Sequence, residues 1–185
     1  MDFDAALTYT SFADHMHKAK TPRQKAILDT VVVHSKGEVE ADLDAVMPTL
    51  NDNPRYHEYG VFANTHEDTG PKGMEAVKHN YEAMVANGSY VIESKKDRVV
   101  VSDDEIVTSG TFRQILSAKV ATEMGFVGAD AEGFYMLSAR TIVFWQFDED
   151  GKAMGEDRFV MNHKIAPIAR EDLPAHYPAH LLEQS

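Results

Sequence analysis

The order of the periodic segments constrains the fold of this chain most strongly. In the first half apolar residues recur at helical spacing, beginning at Thr21-Pro22, where a threonine cap precedes a proline at the first helical position. Strand patterns fill the second half, and a D-E-D-G turn between 135–147 and 154–161 predicts an antiparallel hairpin. Helices followed by an antiparallel sheet predict an α+β fold.

Further elements are predicted from local signals. Asp42 can cap a short helix over 43–50, and Asn87-Gly88 ends a third helix over 73–87. Strands are expected at 89–93, 98–102 and 105–116, and an insertion at 117–134 has a helical turn near 120–124. Because only three helices are available to cover the sheet, the sheet must be strongly curved. We therefore expect an arm at 1–20, one domain at 21–162 and a tail at 163–185.

Charge and composition exclude several classes of partner. The 185 residues carry a net charge of -12, so the surface should repel nucleic acid and anionic lipid. The chain has no cysteine, which excludes disulfides and thiolate metal sites. The first 20 residues lack a signal-peptide pattern, and the longest apolar run, 141–147, is too short to cross a bilayer. A cytoplasmic protein is expected.

The stretch R-Y-H-E-Y-G at 55–60 has no purely apolar face. As a strand it would place Arg55, His57 and Tyr59 on one side, with Tyr56 and Glu58 on the other. A face that carries a histidine beside a tyrosine suits a ligand cavity better than a packed core, so we predict that His57 and Tyr59 point into such a cavity.

Four stretches, at 34–47, 55–60, 73–81 and 143–157, resemble in order and spacing the nuclear transport factor 2-like superfamily, and within it the SnoaL-like, ketosteroid-isomerase-like branch. The resemblance covers about 21–162. It implies a cone-shaped, curved antiparallel sheet that wraps the N-terminal helices and leaves a deep pocket. It also implies a hydrophobic small-molecule ligand, no cofactor, no metal and a homodimer. We expect the dimer to form through the outer sheet face, with Trp145 or Phe147 near the contact.

The resemblance assigns catalytic roles to three residues. His57 falls where isomerases of this branch have their aspartate base, and an imidazole can take and return a proton near neutrality. His34 falls at the position of the oxyanion-stabilising tyrosine, and Glu38, four residues on, could orient it. Inert structural histidines and a surface ion pair are the alternatives. A metal site formed by His34, Glu38 and His57 is a weaker possibility.

Tyr59, Arg113 and Asp157 are the candidate substrate-binding residues. Cyclases of the family have G-T-H where this chain has G-T-F, with Phe112 in place of the histidine, which counts against cyclase chemistry. A cross-strand charge ladder that includes Arg113 and Asp157 is the structural alternative.

Three functions are compatible with these patterns. The first is a small cofactor-free isomerase or dehydratase that acts on a hydrophobic carbonyl or hydroxy compound by histidine-mediated proton transfer. The second is a non-enzymatic ligand-binding or dimerisation module of the same fold. The third is an epoxide or ester hydrolase, which would need paired acids around a water; Glu156 or Asp157 with Arg113 would be the candidates.

Overall fold

A computed structural model describes residues 2–182 and shows an α+β fold. The helices are α1 (Leu7–Thr10), α2 (Pro22–Val39), α3 (Leu43–Val46), α4 (Met74–Asn87) and α5 (Ala118–Glu123). The strands are β1 (His57–Tyr59), β2 (Ile92–Val101), β3 (Glu105–Ser117), β4 (Phe134–Phe147) and β5 (Ala153–Ile168). Short 3₁₀ turns lie at Ala13–Lys18, Met47–Thr49, Arg170–Asp172 and Ala179–Leu181.

One five-stranded sheet has the order β1-β5-β4-β3-β2. Neighbouring strands are antiparallel except for the short β1, which runs parallel to β5. Pairing is irregular between Lys96 and Arg98, and again where β4 meets β5. Such bulges bend and twist a strand, so they allow a long sheet to curve around the helices.

The predicted helix boundaries agree closely with the structure. The Thr21 hydroxyl accepts a hydrogen bond from Gln24 N at 3.1 Å, and Asp42 caps α3 through Ala45 N. Gly88 ends α4 in the left-handed conformation, with a φ of 78°. Gly37 lies inside α2 where α3 packs closely against it: a Cβ at this position would be 2.8 Å from Val46 Cγ2.

The main core lies between α2 and the inner face of the sheet. Ile27, Leu28 and Val31 of α2 are fully buried and pack in one cluster with Trp145 and Phe147. The expectation that Trp145 or Phe147 lies at an outer-face contact is therefore wrong. Both rings belong to the inner face of β4, where burying them removes a large apolar area from water.

The terminal segments also pack on the domain. In 1–20, the Thr8 and Ser11 hydroxyls accept hydrogen bonds from Ser94 N and Lys96 N on β2, and Phe12 is fully buried. In the tail, Tyr177 packs edge-on against Phe134. Within residues 2–182 no helix is long and apolar enough to cross a membrane.

Candidate functional site

A cavity of about 220 Å³ lies against the inner face of the sheet, between α4, α5 and the loop that follows β1. Its walls are mainly apolar and include Phe62, Met84, Ile92, Phe112, Met124 and Leu137. Polar groups also reach it, among them Glu58, Arg158, Gln114, Ser89, Asn80 and Glu123. An apolar cavity with a few placed polar groups is the usual form of a small-molecule site.

The charged part of the cavity wall is an ion pair. Glu58 and Arg158 face each other in the parallel register of β1 and β5, and Arg158 Nη2 donates to Glu58 Oε1 at 2.5 Å. The two side chains are only 10% and 18% exposed. Arg158 Nε is buried and has no hydrogen-bond partner among residues 2–182. Because the Arg158 side chain lines the cavity and a guanidinium has five N–H donors, its accessible part can donate to an oxygen atom of a ligand.

The prediction that His57 and Tyr59 of β1 point into the cavity is wrong. Tyr56 and Glu58 point inward and are almost fully buried, at 2% and 8% exposed, whereas His57 and Tyr59 lie on the outer face. The inward residues find partners for their polar atoms, since Glu58 pairs with Arg158 and the Tyr56 hydroxyl lies 3.2 Å from that of Tyr81. Tyr59 instead stacks on Phe159, with ring centroids 4.9 Å apart.

His57 belongs to a surface network. Its Nδ1 lies 2.7 Å from Asp68 Oδ2, and its side chain is 37% exposed. Asp68 also accepts hydrogen bonds from Lys72 Nζ and from the backbone N–H groups of Glu58 and Gly70. Although burial opposes it, these hydrogen bonds hold the pKa of the Asp68 carboxyl far below its usual range. The network fixes the loop after β1 to the strand.

His34 lies in the core and not on the cavity wall. Its Nδ1 is 2.7 Å from Thr49 Oγ1, and its Nε2 is 2.8 Å from the Tyr81 hydroxyl. Burial lowers the pKa of His34 to about 4, so the ring is neutral at pH 7.

The hydrogen bond that Thr49 makes to the backbone determines which atoms donate and which accept in the series Thr49–His34–Tyr81–Tyr56. Thr49 donates its only hydroxyl proton to the Val46 carbonyl at 2.6 Å, so His34 Nδ1–H must donate to Thr49. His34 Nε2 then accepts from Tyr81, and Tyr81 accepts from Tyr56. The chain therefore ends at Tyr56, on the opposite side of β1 from His57, and the structure does not bring the two histidines into one site.

Glu38 makes no hydrogen bond to His34; it belongs to a cluster of interior charges. Its carboxylate interacts with Arg158 and Lys96, and burial raises its pKa. Burial also raises the pKa of Glu156 to about 8 and lowers that of Lys96 to about 8. Although burial opposes it, the carboxylates around Arg158 raise the pKa of its guanidinium. Together with Glu58, this cluster holds three carboxyl groups and two cations, Arg158 and Lys96. Because the carboxyl groups outnumber the cations by one, the charge balance favours one carboxyl group that keeps its proton.

The remaining candidates lie away from the cavity. Arg113 donates from Nε to Glu93 Oε1 at 2.7 Å in a directly paired position of β2 and β3, and its guanidinium lies over Phe3. This is the cross-strand ladder considered as the alternative for Arg113. Asp157 alternates with the inward Glu156 and Arg158, so it belongs to the outer face together with Tyr59. No three side chains among residues 2–182, including His34, Glu38 and His57, form a group that could hold a metal ion.

A second, larger hollow lies on the other side of α5. This groove of about 1100 Å³ runs between the end of α4, α5 and the tail, where Lys119, Arg170 and Leu181 line it. Val120 and Glu123 contribute to both spaces. Helix α5, in the predicted insertion, therefore forms the wall between the groove and the cavity.

By sequence the chain matches no protein-family model and no curated protein. Solved structures do resemble it. A candidate SnoaL-like polyketide cyclase from Jannaschia sp. CCS1 superposes with a TM-score of 0.57 at 14% identity, over 77% of this chain and 90% of that one. An NTF2-like protein from Anabaena variabilis gives 0.55 at 10% identity, over 78% and 93%.

RV0760c from Mycobacterium tuberculosis, in complex with estradiol-17beta-hemisuccinate, gives a TM-score of 0.55 at 14% identity, over 74% of this chain and 94% of that one. Each of these proteins is covered almost completely, although few residues are identical. The chain therefore has a nuclear transport factor 2-like fold, as the superposed proteins do.

Proposed function

We propose that this protein binds a small, largely apolar carbonyl or hydroxy compound in the cavity and transfers a proton within it, giving isomerisation or dehydration. The observation that carries the proposal is the Glu58–Arg158 pair on the wall of an otherwise mainly apolar cavity. The solved relative named for its complex with a steroid ester supports a ligand of this kind. The pair takes the roles that sequence reasoning gave to His57 and His34.

In this mechanism Arg158 binds the substrate oxygen and Glu58 moves the proton. A carbonyl oxygen that accepts from the Arg158 guanidinium becomes more negative as the adjacent carbon loses its proton to the Glu58 carboxylate. The fixed positive charge stabilises the developing enolate, and it does so more strongly in a cavity than in water. Isomerisation is complete when Glu58 returns the same proton to another carbon of the ligand.

Binding without catalysis is the second candidate. No histidine among residues 2–182 lines the cavity, and the Glu58 carboxylate is already engaged in an ion pair with Arg158. The hydrolase alternative has less support, because its candidate residues, Glu156 or Asp157 with Arg113, are not among the residues that line the cavity.

Deuterium exchange distinguishes the first two candidates without knowledge of the natural substrate. 2-Tetralone, a bicyclic ketone, is incubated with the protein in D₂O, and loss of its α-proton signals is followed by NMR. We expect exchange above the buffer rate with the wild type, loss of that excess in Glu58→Gln, and no change in His57→Gln. Equal rates with and without protein, despite binding of 2-naphthol as an enol analogue, would favour the binding module.

We also propose that two copies associate through the outer face of the sheet. Tyr59, Phe144 and Phe159 form a ring cluster there, and Phe159 and Met161 are each 37% exposed. Contiguous exposed apolar groups on an uncovered sheet are a typical contact surface. Because a two-fold axis pairs a patch with itself, one such cluster is sufficient for a homodimer.

A further inference from the structure

We propose that the cavity selects a slender ligand with two different polar ends: a hydrogen-bond acceptor held by Arg158 and a hydroxyl group that donates to Gln114. This inference rests on the proposed use of the cavity and adds Gln114 as the residue that determines specificity at the second end. It narrows the ligand class to molecules with an apolar middle, an acceptor such as a carbonyl or carboxylate at one end, and a hydroxyl at the other.

The orientation of the Gln114 amide is fixed by a backbone group. Gln114 is 8% exposed, and its Nε2 donates to the Ser89 carbonyl at 2.6 Å. A carbonyl accepts only, so the nitrogen of the amide must face Ser89. The amide oxygen is then left for the cavity that Gln114 lines, and no residue among 2–182 donates to it. An amide oxygen without a partner in a largely apolar cavity costs free energy, and a ligand hydroxyl that donates to it would remove that cost.

The opposite end has the opposite polarity. Arg158 Nη2 donates to Glu58, and the Arg158 side chain, 18% exposed, lines the cavity. A guanidinium can only donate, so this end binds an acceptor. A ligand that reaches both ends is therefore held in one orientation, because reversing it would place a donor against Arg158 and an acceptor against the oxygen of Gln114.

The sheet register shows that the cavity is long relative to its volume. Gln114 pairs with Leu137 on β4, whereas Arg158 pairs with Val143 on the same strand, six residues further along. Six residues of strand span ~20 Å, which the curved sheet and the two long side chains shorten. Phe112, which pairs with Ala139, and Val160, which pairs with Thr141, lie on the wall between these ends. A cavity of about 220 Å³ stretched over this span is narrow and apolar in its middle.

Three biphenyls test the pairing, with isothermal titration calorimetry as the measurement. 4′-Hydroxybiphenyl-4-carboxylate has both ends, biphenyl-4-carboxylate lacks the hydroxyl, and the 4′-methoxy ether has an oxygen that cannot donate. With the wild type we expect the hydroxyl compound to bind about five- to tenfold more tightly than the other two. This comparison needs no variant.

Two variants assign the effect to residues. Gln114→Met, of similar shape, should bring the three affinities together. Arg158→Met should weaken all three ligands. Equal affinities in the wild type, or a hydroxyl preference that persists in Gln114→Met, would overturn the role of Gln114. Binding of the unsubstituted acid would in that case still stand as support for the proposed cavity function, whereas no binding of any biphenyl would overturn both.

Discussion

Glu58 and Arg158 lie directly opposite each other on the only parallel strand pair among the described residues, and they form an ion pair on the cavity wall at 2.5 Å. Arg158 also interacts with Glu38 and Glu156, whereas Glu58 has this one cationic partner at contact distance. Loss of either member should therefore have a different effect on stability. Removing Arg158 deprives three carboxyl groups of their cation, whereas removing Glu58 leaves Arg158 with two carboxyl partners, Glu38 and Glu156.

This inequality predicts the effect of breaking the pair. Glu58→Gln should lower the free energy of unfolding by about 2 kcal/mol and Arg158→Met by about 4 kcal/mol, because a nearly buried charge is left without its partner. The double variant should lose clearly less than the sum. Urea denaturation at pH 7 measures all three. Additivity within about 0.5 kcal/mol would show that the two side chains are not coupled.

His34 should make the protein sensitive to acid. Its pKa is about 4 in the folded state against 6.5 for a free histidine, so the folded protein binds fewer protons than the unfolded chain between these values. Stability contributed by the neutral ring is thus complete above pH 6.5 and is lost as the pH falls toward 4. A shift of this size corresponds to about 3 kcal/mol.

The variant His34→Asn tests this linkage. It should be less stable than the wild type at pH 7.5, since the hydrogen bonds to Thr49 and Tyr81 are disturbed, but the difference should shrink as the pH falls to 4.5. His17→Asn, at an exposed position, is the matched control and should follow the wild-type pH curve. A constant gap between wild type and His34→Asn across this range would contradict a buried neutral ring.

Glu156 should make the protein less stable as the pH rises, the opposite of the effect of His34. Burial raises its pKa from 4.5 to about 8, so the folded state holds a proton that the unfolded chain has released. This contribution to stability is present below pH 4.5 and is lost as the pH rises toward 8. Glu156→Gln has no such proton, so it should gain stability relative to the wild type between pH 5.5 and 8.5. Glu149→Gln, in the exposed hairpin turn, should show no such gain.

The outer-face proposal predicts a change of mass. Phe159→Glu places a charge in the exposed ring cluster and should convert a dimer to a monomer in light scattering after size-exclusion chromatography. Val100→Glu is the control, since Val100 is 59% exposed on β2 at the far side of the sheet and should leave the dimer intact. A monomeric wild type, or a dimer that survives Phe159→Glu, would contradict association through this face.

Much of the fold could be predicted from the sequence because its signals are local. The cap at Thr21, the glycine after α4 and the turn between β4 and β5 each set a boundary through contacts within a few residues. The curved sheet followed from the small number of helices. Such features do not depend on which face of a strand meets the core.

The site could not be predicted in the same way, because which side of a strand points into the core depends on partners that are distant in sequence. In R-Y-H-E-Y-G both faces carry a tyrosine, and Glu58 points inward only because Arg158, a hundred residues later, meets it there. The inward position of Arg158 in turn depends on a bulge: Ala153 and Glu156 both face inward, and Gly155, with a φ of 123°, lies between them. A glycine inside a predicted strand often marks a bulge, so Gly155 in A-M-G-E-D is the sequence feature that could have indicated the bulge.

A crystal structure with 4′-hydroxybiphenyl-4-carboxylate tests the central claim most directly, namely that the cavity beside Glu58 and Arg158 is the functional site. We predict the ligand between α4, α5 and the sheet, with a carboxylate oxygen within about 3.2 Å of the Arg158 guanidinium. Its rings should contact Phe112 and Leu137, and no atom should touch His57. Density for the ligand in the open groove beyond α5, or against the His57–Asp68 surface, with the cavity empty, would contradict the account.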